Sequence, residues 1–529
     1  MQNTVLKNFF EISKVPRGSG NEKAVSDFIA NFARERGADV IQDELHNLII
    51  KKPGTLPGRP AVILQAHLDM VCEKNVGKVH DFDRDPIDAY IDGDFVKAHG
   101  TTLGADNGIG VAMCMALLDA DFQHPPLEIV LTTDEEAGMT GAQHLDVSLL
   151  SGRRMINLDS ADESTFTMGC AAAVTAEVVI HGQCRGDSAP APPQGDNVPL
   201  TPSPETARCA VSEKSGGSGE TFSKVSPEKR LKITITGLKG GHSGSDIDSE
   251  RGNAIRILGF VLDAVCGAGE VRIASISGGM KVNAIPREAE CVIIFSQGNE
   301  GKILAALEDV CEGFLKQFRS LKIGRAETDL PTMSKNNCAL SPESSRALCA
   351  ALMLLPNGVA ARSLEIEGLV NASCNIGVIE MTGEGVKISL MARGATRFFT
   401  QQAEAQISAV AAQIGADVSF VQRSPAWVYN PDSPLLKTAE KVYARVFSAA
   451  SGECADAGTC PRCSTRAVRA RATAVHAGLE CGIFIDKIPG LDIISFGPNM
   501  YDYHTPDERL SISSTERVRE FLFELLAEL

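Results

Sequence analysis

The sequence predicts an α/β protein with a mostly parallel central sheet, interrupted by a second unit of α+β texture. Three observations carry that prediction. Strand-like apolar runs alternate with helical periodicity up to about residue 160, the order produced by parallel strands with crossover connections. From about residue 230 the order changes to strand, helix, strand, strand. After 401 the alternation resumes and ends in a helix over 514–529, so 230–400 is inserted into a domain built from 1–182 and 401–529.

Residues 21–36, NEKAVSDFIANFARER, have helical periodicity, with Asn21 placed to cap the start and Gly37 just past the end. Strands follow at ADVIQ, NLIIKK and AVILQAHLD. The pattern then predicts a helix at 108–119, a strand at 127–133, a helix near 141–150 and a strand at 153–159. In the inserted unit, KITITGL, a helix at 249–266, VRIASIS and CVIIFS are followed by a similar set across 301–400. The recurrence predicts two related halves. Residues 183–229 are rich in Pro, Ser and Gly and lack periodicity, which predicts a flexible insertion. A second insertion, 451–472, holds Cys454, Cys460 and Cys463 among several arginines. Its CPRC pair is either half of a zinc site without a second pair, or an exposed loop with incidental thiols.

A chain of 529 residues exceeds one ordinary domain, and 43% hydrophobic residues exclude disorder of the whole chain. The net charge of −16 argues against nucleic acid and against an anionic membrane surface as partners. The first twenty residues lack the basic and apolar regions of a signal peptide. No run approaches the ~18 apolar residues of a membrane span. Fifteen cysteines, several within apolar patterns, predict buried free thiols and hence a reducing, cytoplasmic location.

The candidate chemistry lies where predicted strands end. In QAHLDM, His67 and Asp69 are two residues apart and point to the same side, so the carboxylate can orient a metal-binding imidazole. GTTLGADNGIG opens a helix with Asp106 at its mouth but lacks the lysine of a phosphate loop. LTTDEEAG brings Asp134, Glu135 and Glu136 to a strand end, INLDSAD brings Asp159, and DIISFGPNMYDYHTPDE brings His504. Open α/β sheets carry their sites at the carboxyl ends of the strands, so these groups converge on one edge. Imidazoles with several carboxylates suit a pair of Zn²⁺ ions, with Mn²⁺ or Co²⁺ as substitutes. A spare carboxylate is then free to act as general base.

On AHLDMV, GTTLGADNGIGVA, TTDEEAGMTGA, INLDSADE, GLKGGHSGSDID, VNAIPREA and VHAGLECGIF, the chain resembles the co-catalytic zinc peptidase family that includes aminoacylases and acetylornithine deacetylase. GGHSG, HAGLECG and the long inserted domain resemble its dipeptidase branch. The resemblance implies that Asp106 bridges two zinc ions, with His67 and Asp159 completing one site and Glu136 and His504 the other. It implies Glu135 as the base, Asp69 as the group orienting His67, and His242 as a stabiliser of the scissile carbonyl oxygen. Asn283 and Arg393 would hold the substrate carboxylate, and Glu480 the free α-amine. It further implies that the inserted domain is a lid that pairs two copies of the chain, with His242 acting in its own or a partner's site.

The function so implied is hydrolysis of unblocked dipeptides, those ending in histidine included. An N-acyl amino acid deacylase, which needs no amine acceptor, is the alternative within the family. A zinc-dependent regulatory or nucleic-acid module on the Cys/Arg insertion is the alternative outside it. The composition of the first insertion yields a direct expectation. Limited proteolysis cuts within 191–228 while both flanks survive, and deleting that tract leaves the melting transition and activity in place. A deletion protein that aggregates would show instead that the tract is structural.

Overall fold

Two central strands, Val62–His67 and Leu127–Thr132, are buried at every position, as a sheet covered on both faces requires. The architecture comes from a computed structural model, described for residues 4–182, 227–328, 339–451 and 469–529. These two strands run parallel, His67 opposite Thr132. Arg154–Asn157 joins them in parallel, and Asp492–Ser495 follows. Antiparallel strands Asp39–Gln42 and Leu48–Lys52 close one side of the eight-stranded sheet. Thr165–Cys170 and Arg471–Val475 close the other. His67, the turn after Thr132 and the turn after Asn157 therefore leave the sheet at one edge, as the sequence predicts.

Local details differ from the expected bounds for identifiable reasons. The first long amphipathic helix runs Lys23–Arg34, and its start is not capped by Asn21; Glu22 precedes it without a cap hydrogen bond. The Glu22 carboxylate is engaged elsewhere, accepting from the Gly20 and Asp134 N–H groups. The helix expected at 108–119 begins earlier, at Ala105, behind Gly104 in the left-handed region at φ 69°. The segment near 141–150 forms only Thr140–His144 and a single tight turn, Val147–Leu149. The last helix, Ile512–Glu528, starts at Ser511, whose hydroxyl accepts from Ser514 N–H.

The second sheet has nine strands, antiparallel throughout. It is larger than the span 230–400 drawn from the sequence. Ala172–His181 pairs with Gly385–Gly394, and Asp417–Ser424 pairs with Ala172–His181 in turn. Both flanking strands thus belong to the inserted domain. They alternate apolar and polar residues, a pattern that does not reveal which sheet a strand joins. The repeat is also partitioned differently. One βαββαβ half runs continuously from Glu228–Thr236 to Lys322–Glu327. The other is split around it, Ala172–His181 supplying its first strand and Pro342–Leu354 to Asp417–Ser424 the rest. The halves meet where Ser277 and Gly278 pair with Glu380 and Ile379.

Each sheet has its own core. Leu64, Ile129, Phe166 and Phe521 pack in the first; Ile233, Leu258, Ile293 and Leu390 pack in the second. The described cysteines are free, and most are buried. Among the described residues no helix is long and apolar enough to cross a membrane. The expectations for the first insertion, except its last residues, and for Cys454, Cys460 and Cys463 lie outside the described residues.

Candidate active site

At the carboxyl edge of the first sheet, one carboxylate stands between two imidazoles. Asp106 Oδ1 lies 3.2 Å from His67 Nε2, and Asp106 Oδ2 lies 3.3 Å from His504 Nε2. Asp159 Oδ1 is 3.6 Å from His67 Nε2 on one flank, and Glu136 Oε1 is 3.0 Å from His504 Nε2 on the other. Donor atoms of His67, Asp106 and Glu136 fall within 4.8 Å of one another. His67 is 1% exposed, whereas His504 is exposed. All five ligands expected from the sequence are thus brought together, in two groups that share Asp106.

Asp69 organises this edge from beneath. Its Oδ1 lies 3.3 Å from His67 Nδ1 and accepts from Glu135 N–H, while Oδ2 accepts from Glu136 N–H and the Ser19 hydroxyl. One side chain therefore lies against the first imidazole and fixes the backbone of both glutamates. The same turn is held by Glu22 at Asp134 N–H and by Asn47 at Thr133 N–H.

Two further groups hold Asp106, and neither is signalled by periodicity. The Glu508 carboxylate accepts from four successive backbone N–H groups, Leu103 to Asp106, at 2.7–3.3 Å. Opposite it, the buried Arg17 guanidinium donates to the carbonyls of Leu68, Asp69 and Gly104. A Cβ at Gly104 would lie 2.6 Å from Arg17 Nη2, and one at Gly108 would lie 2.5 Å from it. These glycines therefore make room for a guanidinium rather than a phosphate. Arg17, Ser19 and Glu22 lie in one loop, so a single segment ties together the turns bearing His67, Asp106 and Glu135. The acid and base types spaced through PRGSGNE were the available signal.

The electrostatics are those of a site short of positive charge. Burial opposes charging of His67, yet Asp159, Asp106 and Asp69 push its pKa well above the ordinary value. Burial likewise opposes charging of His504, and Asp106 and Glu136 carry its pKa up to about 10. Burial raises Asp159 to about 6, with Asp106 adding to the rise despite the pull of His67. Burial also raises Glu135 well above the carboxylate range, reinforced by Asp159, Glu136 and Glu480 against the pull of His67. Proton uptake by the imidazoles and by carboxylates partly offsets the crowding, and a divalent cation in each group would replace those protons. The donor chemistry thus fits metal ions.

His242 of the lid lies near enough to His504 of the same chain for the charge of His504 to act on it. His242 pairs with Ala284 in a two-stranded ribbon, and Ser243 N–H donates to the Asn283 carbonyl, so the exposed Asn283 stands beside His242. Arg393 Nη2 lies 3.4 Å from His242 Nε2. Burial, with Arg393 adjacent, lowers the His242 pKa to about 4 and leaves it neutral. Glu480 is 2% exposed and sits lower; its Oε2 accepts from Gln65 Nε2 at 2.5 Å and from the Thr132 hydroxyl at 2.7 Å, while Oε1 has no hydrogen-bond partner.

An acid–imidazole cluster at the carboxyl edge of an α/β sheet, faced by an inserted lid, is the site of a metal-dependent hydrolase. Residues 63–528 match peptidase family M20/M25/M40, and the chain belongs to that family. It is 33% identical over 524 residues to the cytosol non-specific dipeptidase of Escherichia coli K12, covering 98% of this chain and 96% of the relative. The crystal structure of aminoacylhistidine dipeptidase from Vibrio alginolyticus is similar, with TM-score 0.75, 32% identity and coverage of 100% and 97% of the two chains. Aminopeptidase PepT from Bacillus cereus shares the fold, with TM-score 0.51, 13% identity and coverage of 100% and 98%.

The scaffold predicts the outcome of removing Arg17. In Arg17→Met the Leu68, Asp69 and Gly104 carbonyls lose their donor and Glu508 loses its nearby positive charge. Breaking a buried ionic arrangement costs about 3–5 kcal/mol. Chemical denaturation should show a loss of that size, and metal retained after dialysis should fall. Unchanged stability with full metal content would remove Arg17 from the scaffold.

Proposed function

We propose that this chain hydrolyses the peptide bond of unblocked dipeptides, Xaa-His dipeptides among them, using two divalent metal ions held by its own side chains. The observation that carries the reading is the position of Asp106, one oxygen facing His67 and the other His504. His67 and Asp159 would complete one ion's ligands, and Glu136 and His504 the other's. Zn²⁺ suits this nitrogen and oxygen donor set, with Mn²⁺ and Co²⁺ as alternatives. Bound ions would supply Lewis acidity and bring the pKa of water toward neutrality.

Glu135 is the carboxylate left free by this assignment. Its backbone is pinned by Asp69 and its pKa is raised, which suits a group that must take a proton and return it near neutral pH. It takes a proton from the attacking water; as the carbon–nitrogen bond breaks it delivers that proton to the leaving amine. His242, neutral and a hydrogen-bond donor, stabilises the carbonyl oxygen as negative charge develops there. Arg393 and Asn283 bind the substrate carboxylate. An α-ammonium group beside Glu480 would give Oε1 the partner it lacks, and that supports the amine role. Capture of both termini measures substrate length.

The packing of the His242 loop against His476, and the charge of His504 acting on His242, both within one chain, support action of His242 on its own active site. The thiol content and the cytosolic relative support a cytoplasmic location.

Two measurements test the reading. Glu135→Gln retains its metal while turnover falls about 10²–10⁴-fold; turnover within a few-fold of the parent rejects Glu135 as the base. On a dipeptide panel, unblocked substrates are cleaved and their N-acetyl counterparts are not. The reverse preference would establish a deacylase.

A further inference from the structure

His476, the first residue of HAGLECG, has no role in the scheme above. It follows strand Arg471–Val475 of the catalytic domain, yet its Nε2 lies 2.7 Å from the Ser373 hydroxyl of the lid. Ser373 sits directly opposite Arg393 in the lid sheet, so the two side chains share a face. The His242 loop closes against the same place, where a Cβ at Gly244 would lie 2.3 Å from the His476 carbonyl oxygen and 3.0 Å from His242 Cε1. Ser373, Arg393, His242 and His476 therefore surround one spot at the junction of the domains.

Two nitrogens at that spot are buried without partners. Arg393 is 6% exposed and its Nε has no hydrogen-bond partner; His476 is 7% exposed and its Nδ1 has none. Burial lowers the Arg393 pKa to about 10, with Cys170 acting against the shift. Burial, Arg393 and His242 lower the His476 pKa to about 4, against the upward pull of the Val370 backbone carbonyl. A buried guanidinium without an anion is costly, and so is an unpaired ring nitrogen. Both costs vanish when an oxyanion enters between them.

We propose that His476 is a second anchor for the substrate's terminal carboxylate, donating from Nδ1 to one oxygen while Arg393 engages the other. With the Ser373 hydroxyl as donor to Nε2, the ring proton sits on Nδ1. His476 and Ser373 belong to different domains, so the anchor is complete only when lid and catalytic domain are in contact. The inference rests on the dipeptidase reading and adds a residue that selects for a free carboxyl end.

The test compares one unblocked dipeptide with its C-terminal amide, using metal-loaded enzyme. In His476→Ala the KM for the free acid rises about tenfold or more, as for loss of a hydrogen bond to a charged group. The kcat changes by less than about threefold, and the KM for the amide stays within about twofold. His476→Gln, which keeps a donor, recovers part of the loss and serves in place of His476→Ala if that variant folds poorly. Equal changes for acid and amide, or an unchanged KM for the acid, overturn the assignment. A parent enzyme that cleaves no unblocked dipeptide instead overturns the activity. Calorimetry with a free amino acid then decides the anchor, since His476→Gln must weaken its binding and equal affinity rejects the role.

Discussion

Repulsion among carboxylates is the constraint that the rest of this molecule answers. Asp69, Asp106, Glu135, Glu136 and Asp159 converge on one sheet edge beside two imidazoles, in surroundings that burial makes hostile to charge. Like charges at such separations drive pKa values apart. Here His67, His504, Glu135 and Asp159 are displaced upward while Asp69 is drawn down to about 2, its own burial outweighed by His67, Ser19 and backbone donors. A polypeptide relaxes from such an arrangement unless its turns are held. Arg17 and Glu508 hold the Asp106 turn from opposite sides, and Asp69 and Glu22 hold the glutamate turn. Side chains distant in sequence therefore hold the turns that carry the acidic cluster.

The two domains divide the work by charge. The catalytic edge is acidic and suits cations. The lid contributes Arg393 and the neutral His242, groups that suit a carboxylate and a developing oxyanion. The substrate's reacting carbonyl would lie between these fields, aligned with its charge separation in the transition state. Glu480 lies beneath the acidic side, where burial and the surrounding carboxylates raise its pKa to about 8 despite the Thr132 hydrogen bond.

The candidate ligands were legible because each lies at or just past a strand end or opens a helix, and strands announce themselves by apolar runs. The structure brings His67, Asp106, Glu136, Asp159 and His504 together. The residues supporting them were not. Arg17 and Glu508 are far apart in sequence and act by donating to or accepting from backbone, which leaves no periodic trace. The same reason misplaced the first helix cap, since the Glu22 side chain serves a distant turn. The inserted domain was recognised by its texture but drawn too short. Ala172–His181 pairs with residues more than two hundred positions away, and local pattern carries no record of its partner.

The central claim is that Asp106 is shared between two ions. Zinc equivalents retained after exhaustive dialysis, counted by elemental analysis for the parent and for Asp106→Ala, test it most directly. The account predicts two equivalents in the parent and loss of both together in the variant, because one side chain serves both sites. A single tightly held equivalent remaining in Asp106→Ala would contradict it, as would a parent that never binds more than one.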